Sequence, residues 1–165
     1  MLNHFFKEPV IGWSVMRVKS KYPERMEYHA ESAWDGKTGG VITASDDHQI
    51  VYDTPKTYSG FGEGICPDEI FVSAVLGCLN NTFLDFQRRF EMELVSFKLS
   101  GKATVLFDGE GYKITEFSVI GDVVVGEDEL ETGQRCVELM QQYCHLTRTI
   151  KECIPFEYDI SVREE

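Results

Sequence analysis

The chain has little positive charge for its length. Its 165 residues contain 16 Lys and Arg against 28 Asp and Glu, which gives a formal net charge of −12 at pH 7. Nucleic acids and anionic membrane surfaces are bound through basic patches that neutralise phosphate groups. The composition therefore argues against both kinds of partner. The hydrophobic share of 42% is that of an ordinary globular domain.

Long apolar runs are also missing. The nearest approach to one, residues 70–79 (IFVSAVLGCL), is far shorter than the roughly 18 apolar residues that a membrane span needs. The N-terminal residues MLNHFFKEPVIGW contain no apolar core of a signal peptide, because Lys7, Glu8 and Pro9 interrupt it. We therefore expect a cytoplasmic protein without a membrane partner, in which thiols stay reduced unless they are used for chemistry.

The usual metal and nucleotide motifs are absent from the sequence. There is no CxxC, no HExxH and no spaced quartet of Cys and His, so a zinc site is not expected. The Gly-rich loop 60–64 (GFGEG) lacks both the Lys-Ser/Thr pair of a phosphate loop and the GxGxxG spacing. We expect the protein to use neither a metal nor an organic cofactor.

The order of secondary structure that the sequence does contain predicts an α+β domain. No repeat or linker divides the chain, and we expect an N-terminal arm, residues 1–25, followed by one domain, residues 26–165. Apolar periodicity and turn residues predict helices at 67–90, from about 128 and at 147–153, and strands at 13–18, 26–34, 40–44, 49–54, 94–107, 112–125 and 156–162.

The first long helix differs from an ordinary surface helix. Pro67 suits its first position, and its first half is apolar on all sides, which predicts that it is buried all round. In the second long helix the apolar residues fall at three- and four-residue spacing, and this stripe places Cys144 on the core face.

Five cysteines make thiol chemistry the main question. Cys78 lies inside the apolar helix, a position typical of a structural cysteine. Cys144 ends the second long helix and is followed by a histidine and an arginine, so a structural and a reactive role are both open. Cys66 stands at a plausible helix N-cap, while Cys136 and Cys153 are predicted to be packing residues.

Two segments together resemble the OsmC/Ohr family of osmotically inducible and organic hydroperoxide resistance proteins. Segment 64–78 (GICPDEIFVSAVLGC) has the family's Gly-rich loop, Pro, acidic residue and apolar run, with Cys78 eleven residues after Pro67. Segment 140–150 (MQQYCHLTRTI) is similar to the family's second-cysteine motif, a Cys followed after two residues by Ser or Thr. The resemblance covers residues 26–163.

This resemblance implies a fold, an assembly and an activity. The fold would be α+β, with antiparallel sheets wrapped around two long buried helices in an intertwined homodimer whose sites lie at the subunit interface. The activity would be thiol-dependent reduction of organic hydroperoxides. Cys78 would be the peroxidatic residue and Cys144 the resolving residue, and a dithiol reductant would reopen their disulfide.

The site departs from the family pattern at two charged positions. Asp68 follows Pro67 where the family usually has Glu, and Lys37, in segment 35–39 (DGKTG), stands in the place of the family's Arg. Arg148 is a second candidate for the cation that would stabilise the thiolate. These departures keep open a redox-responsive or small-molecule-binding protein without significant peroxidase turnover. A structural protein whose cysteines only pack is the remaining alternative.

Overall fold

The computed structural model describes residues 22–165. The strand that the sequence predicts at 13–18, and most of the predicted arm, residues 1–25, lie outside the described residues. The division of the chain into an arm and a domain therefore stays a prediction.

The described chain folds as an α+β protein, as the sequence predicts. None of its helices is long and apolar enough to cross a membrane. In chain order its elements are β1 (Glu31–Trp34), β2 (Gly39–Thr43), β3 (Gln49–Asp53), α1 (Pro67–Phe90), β4 (Leu94–Phe107), β5 (Tyr112–Val125), α2 (Leu130–Tyr143), α3 (His145–Ile150) and β6 (Phe156–Glu164), with short 3₁₀ turns at Ser45–Asp47 and Lys56–Tyr58.

The strands form two three-stranded sheets, ordered β1-β2-β3 and β4-β5-β6. The first sheet is antiparallel, and so is the long β4–β5 hairpin. The pairing of β5 with β6 is parallel, which differs from the antiparallel sheets that the resemblance implies. The reason lies in the connection, because α2 and α3 carry the chain back across the sheet before β6 begins, and a parallel pair needs such a crossover.

The hydrophobic core lies between the second sheet and the helices. On α1 the fully buried residues are four apart, Val75, Leu79 and Phe83, and so form one stripe along the helix. They pack with buried side chains of β5 and α2, namely Phe117, Val119, Val123, Val125, Cys136, Val137 and Met140. At Gly101 on β4, an added Cβ would lie 3.1 Å from side chains of α1, so glycine allows the helix to approach the sheet.

The first long helix is less enclosed than the sequence predicts. Ser73, Ala74, Gly77, Asn80 and Asn81 are exposed in the single chain, so α1 has one buried face and one open face. The prediction that this helix is buried all round was wrong for the single chain. The apolar run of its first half includes small residues, and these lie on the open face.

The element boundaries agree with the sequence where turns or caps mark them. The helix at 67–90 and the strands at 94–107 and 112–125 are confirmed to the residue. The strand predicted at 26–34 is shorter in the structure, where β1 begins only at Glu31. The short helix α3 begins at His145 instead of residue 147, because Cys144 has an extended backbone (φ −61°, ψ 114°) at which one helix ends and the next starts.

A buried carboxylate ties the Gly-rich loop to the first sheet. Asp53 is 3% exposed and accepts hydrogen bonds from the Thr38 hydroxyl at 2.6 Å and the backbone N–H groups of Thr54 and Glu63, both at 2.7 Å. These bonds lower the pKa of Asp53, and the bond from Thr38 has the largest effect. The ionised carboxylate therefore stabilises the folded loop.

We expect Asp53→Asn to lower the melting temperature at neutral pH, because an amide cannot accept all three bonds. A lowered folded-state pKa gives stability that is present above the unfolded pKa of about 3.9 and lost as the pH falls through the folded value. The variant should therefore lose part of the acid dependence of stability, measured by thermal unfolding between neutral and acidic pH. Asp47→Asn, at an exposed turn residue, is the matched control. Equal acid dependence in both variants would contradict this role.

Candidate functional site

Cys78 lies near the middle of α1, at the boundary between the buried and open faces of the helix. Its side chain is half-buried and packs against the hydrophobic core. One turn later the Thr82 hydroxyl donates a hydrogen bond to the Cys78 carbonyl oxygen at 2.8 Å. The thiol is therefore held on a regular helix and remains partly open to a small molecule.

Cys144 occupies the junction between α2 and α3. Its N–H donates to the Met140 carbonyl oxygen at 3.0 Å, which ends α2. Its own carbonyl oxygen accepts from the Arg148 N–H at 3.0 Å and the Thr147 hydroxyl at 3.2 Å, which begins α3. Its side chain is fully buried. This confirms that Cys144 points with the core face of the second helix.

The two thiols meet across the α1–α2 interface. The Sγ atoms of Cys78 and Cys144 are 3.1 Å apart, within hydrogen-bonding distance, and both residues are free thiols. They are 66 residues apart in the chain, so the packing of helices brings them together. A nucleophilic thiol on one residue would thus find its disulfide partner already within contact distance.

The contact between the sulfurs controls their ionisation. The hydrogen bond between them lowers the pKa of Cys144 to about 5, although burial acts in the opposite direction. The same bond, followed by burial, raises the pKa of Cys78. Because either sulfur can hold the shared proton, the first ionisation belongs to the pair. The pair is thus predisposed to hold one thiolate and one thiol.

His145 adds an imidazole to the thiol pair. Its Nδ1 lies 3.6 Å and its Nε2 3.9 Å from the Cys78 Sγ. The side chain is exposed, so the ring can exchange protons with water. The ring contacts the accessible thiol, that of Cys78.

A lysine and a tyrosine lie on the Cys144 side. The Lys151 ammonium is 4.4 Å from the centre of the Tyr158 ring and 3.5 Å from the Gln141 carbonyl oxygen. Burial lowers the pKa of Lys151, while a negative charge on Cys144 raises it. Burial also raises the pKa of Tyr158 to about 12, so its phenol stays neutral. Lys151 is therefore a cation that favours a thiolate on Cys144.

Within residues 22–165, the three predicted charged residues make no side-chain contact with the sulfur of Cys78 or Cys144. Lys37 forms a 3.3 Å ion pair with Glu63 and lies over the Phe61 ring. The Asp68 carboxylate lies 3.8 Å from the Cys66 Sγ at the start of α1. Arg148 is exposed and is linked to Cys144 through its backbone N–H. Their roles at the thiols stay predictions.

The remaining cysteines differ in their settings. Cys66 is the N-cap of α1, as predicted, and its N–H donates to the Glu69 carboxylate at 3.1 Å. Cys136 is buried in the core, where burial raises its pKa to about 11 and keeps it as an inert thiol. Cys153 was expected to pack, yet it is exposed, because it lies in the turn that follows α3.

Sequence reasoning missed three residues of the site. His145 had a signal, since it directly follows Cys144, but an isolated histidine in a sequence does not show which thiol it faces. Lys151 and Tyr158 gave no signal, because their positions depend on how β6 and α3 pack. Residues 22–165 contain no group of three or more His, Cys, Asp or Glu side chains that could hold a metal ion.

The family of the chain follows from its match to a family model. The model for OsmC-like proteins matches residues 60–159, a span that includes α1, both thiols and all of the second sheet except its last residues. The chain belongs to the OsmC-like protein family. A comparison with curated protein sequences finds no significant match.

Solved structures of OsmC-like proteins share the fold at low sequence identity. An OsmC-like protein from Vibrio cholerae superposes with a TM-score of 0.70 at 14% identity, covering 83% of this chain and 100% of that one. An organic hydroperoxide resistance protein from Legionella pneumophila gives 0.64 at 13% identity, with 87% and 99% covered. OhrB of Bacillus subtilis, also an organic hydroperoxide resistance protein, gives 0.60 at 14%, with 82% and 98% covered. These similarities confirm the OsmC-like fold.

We expect Cys78→Ala to abolish the low-pH ionisation of the thiol pair. Without the hydrogen bond from Cys78, burial dominates at Cys144, and its pKa should rise from about 5 into the alkaline range. The ultraviolet absorbance of thiolate, followed against pH, measures this change. Cys153→Ala removes an exposed thiol and should leave the low-pH step in place. The coupling would be refuted by an unchanged step in the Cys78→Ala protein.

Proposed function

We propose that this OsmC-like protein reduces organic hydroperoxides through its cysteines. The observation that supports it most is the 3.1 Å contact between a half-buried Cys78 and a fully buried Cys144. Their unequal exposure suits two different roles, since a peroxide can reach Cys78 and cannot reach Cys144 without movement. The family, and two similar structures that are both organic hydroperoxide resistance proteins, agree with this activity.

In the first step, the Cys78 thiolate attacks the terminal, hydroxyl oxygen of the peroxide. The O–O bond breaks, an S–O bond forms, and the sulfur is oxidised by two electrons to a sulfenic acid while the peroxide leaves as an alcohol. The apolar side chains of the core, against which Cys78 packs, suit a substrate with a hydrocarbon part. This favours organic peroxides over hydrogen peroxide.

In the second step, Cys144 resolves the sulfenic acid. Its thiolate attacks the Cys78 sulfur, an S–S bond forms, the S–O bond breaks, and the oxygen leaves as water after protonation. A dithiol reductant then opens the disulfide by exchange and returns both thiols. Because Cys144 already touches Cys78, the attack needs only a small movement, and over-oxidation of Cys78 is limited.

We also propose that the protein acts as a homodimer, as the family resemblance implies. The open face of α1 and exposed apolar residues of the first sheet, such as Trp34 at 71% and Val51 at 57% exposure, are surfaces that a second copy could cover. In such a dimer, Lys37 and Asp68 could act on the thiols of the partner subunit. Their role in catalysis remains part of this proposal.

A redox-responsive protein with little turnover is the second candidate function. The observation in its favour is that Lys37, the residue in the place of the family's Arg, is paired with Glu63. A protein of this kind would form the same disulfide but would not be reduced rapidly by a dithiol. Steady-state turnover with cumene hydroperoxide and a dithiol therefore separates the two candidates.

We expect cumene hydroperoxide to convert the reduced protein to a form with a Cys78–Cys144 disulfide and to release one equivalent of alcohol. Peptide mapping by mass spectrometry without reduction identifies the bond. The exposed Cys153 serves as an internal control and should remain a thiol. If Cys78 persists as an unmodified thiol in excess peroxide, the peroxidase proposal is wrong.

We expect Cys144→Ser to leave the oxidation of Cys78 by peroxide unchanged and to block the formation of the disulfide. Cys78 should then progress from sulfenic to sulfinic and sulfonic acid, which adds oxygen atoms that intact-protein mass spectrometry detects. Catalytic turnover with a dithiol should fall by about 10²-fold or more. Cys153→Ser is the matched control and should form the disulfide normally. The same products in both variants would exclude Cys144 as the resolving residue.

A further inference from the structure

The accessible thiol has a side-chain partner that neither the family pattern nor the proposed cysteine roles includes. Within residues 22–165, the side chains within hydrogen-bonding reach of the Cys78 Sγ are those of Cys144, His145 and Thr82, and of these only the His145 imidazole is a base. Both imidazole nitrogens lie within 4 Å of the sulfur. A small rotation of this exposed ring would direct either N–H at the sulfur.

A thiolate on a half-buried helix needs a positive charge or a proton acceptor nearby, because burial disfavours the charged form. In the part of the chain that the structure describes, no contact joins the side chain of either expected cation to the Cys78 sulfur, since Lys37 is paired with Glu63 and Arg148 contacts Cys144 through its backbone N–H. Burial lowers the pKa of Lys151 and a negative charge on Cys144 raises it, so this cation interacts with the Cys144 thiol. This leaves His145 as the ionisable base in contact with Cys78.

We propose that His145 is a catalytic residue that carries the proton of Cys78, a role that rests on the proposed peroxidase function. Neutral imidazole accepts the S–H proton and forms an imidazolium–thiolate pair. The thiolate then attacks the peroxide oxygen, the O–O bond breaks, and the leaving alkoxide takes the proton from the imidazolium. The products are the sulfenic acid of Cys78, an alcohol and neutral imidazole, so the proton and both electrons are accounted for.

The ionisable groups around the site agree with a proton transfer from Cys78 to His145. On α1 the group that faces His145 is Cys78. The α2–α3 junction adds Cys144, α3 and the turn after it add Lys151, and β6 adds Tyr158, whose raised pKa keeps it neutral. None of these named groups is a carboxylate. An imidazolium therefore has the thiol pair as its anionic partner.

The test is the alkylation rate of Cys78 by iodoacetamide, since this reaction measures thiolate reactivity and needs no peroxide. Quenched samples of the full chain are mapped by mass spectrometry across the pH range, for the wild type and for His145→Gln. We expect the wild-type rate at neutral pH to exceed that of the variant by at least about tenfold. We also expect the rate in the variant to rise only where the thiol itself ionises, in the alkaline range.

The exposed Cys153 in the same samples is an internal reference whose rate should not change. His48→Gln, at an exposed histidine of a turn in the first sheet, is the matched control variant. Imidazole added to His145→Ala should restore part of the Cys78 rate, an effect that a purely structural role would not produce. Identical Cys78 pH profiles for wild type and His145→Gln would overturn the inference, even if the peroxidase activity were real. A changed profile without any peroxide turnover would instead support His145 and refute the proposed function.

Discussion

The contact between Cys78 and Cys144 depends on the packing of two helices over one sheet. Cys78 is fixed by the stripe Val75, Leu79 and Phe83, which holds α1 against the core, and Cys144 is fixed by the end of α2. A shift of either helix by one residue along its axis would move a sulfur by about 1.5 Å. The 3.1 Å separation is therefore a property of the core as a whole.

The junction at Cys144 gives the site its ionisable groups. Because this one residue leaves the helical conformation, α3 starts in a new direction, and His145 comes to lie against Cys78. Lys151, directly after the same short helix, lies over the Tyr158 ring. An exposed imidazole thus contacts Cys78, and an ammonium interacts electrostatically with Cys144, so each can stabilise a negative charge on one thiol of the pair. This arrangement differs from a site built on a single arginine.

The sequence predicted the fold more completely than the site. Helix α1 and the β4–β5 hairpin have strong local signals, namely Pro67 at a helix start and the turn 108–111 (DGEG) between two long β-patterns. The parallel β5–β6 pair had no such signal, because its register is set by the crossover through α2 and α3. For the site, the spacing from Pro67 to Cys78 and the motif after Cys144 identified the two thiols. Neither could show which side chains surround them.

What the sequence determined by itself is local: where the long helix begins and ends, which face of α2 carries Cys144, and which family the two cysteine motifs resemble. Periodicity and capping act over a few residues, so they can be read directly from the chain. Only the tertiary structure decided that Cys78 and Cys144 touch, that His145 faces Cys78, and that Lys37 pairs with Glu63. These contacts join residues far apart in the chain, and their geometry follows from how helices and sheet pack, which no local pattern encodes.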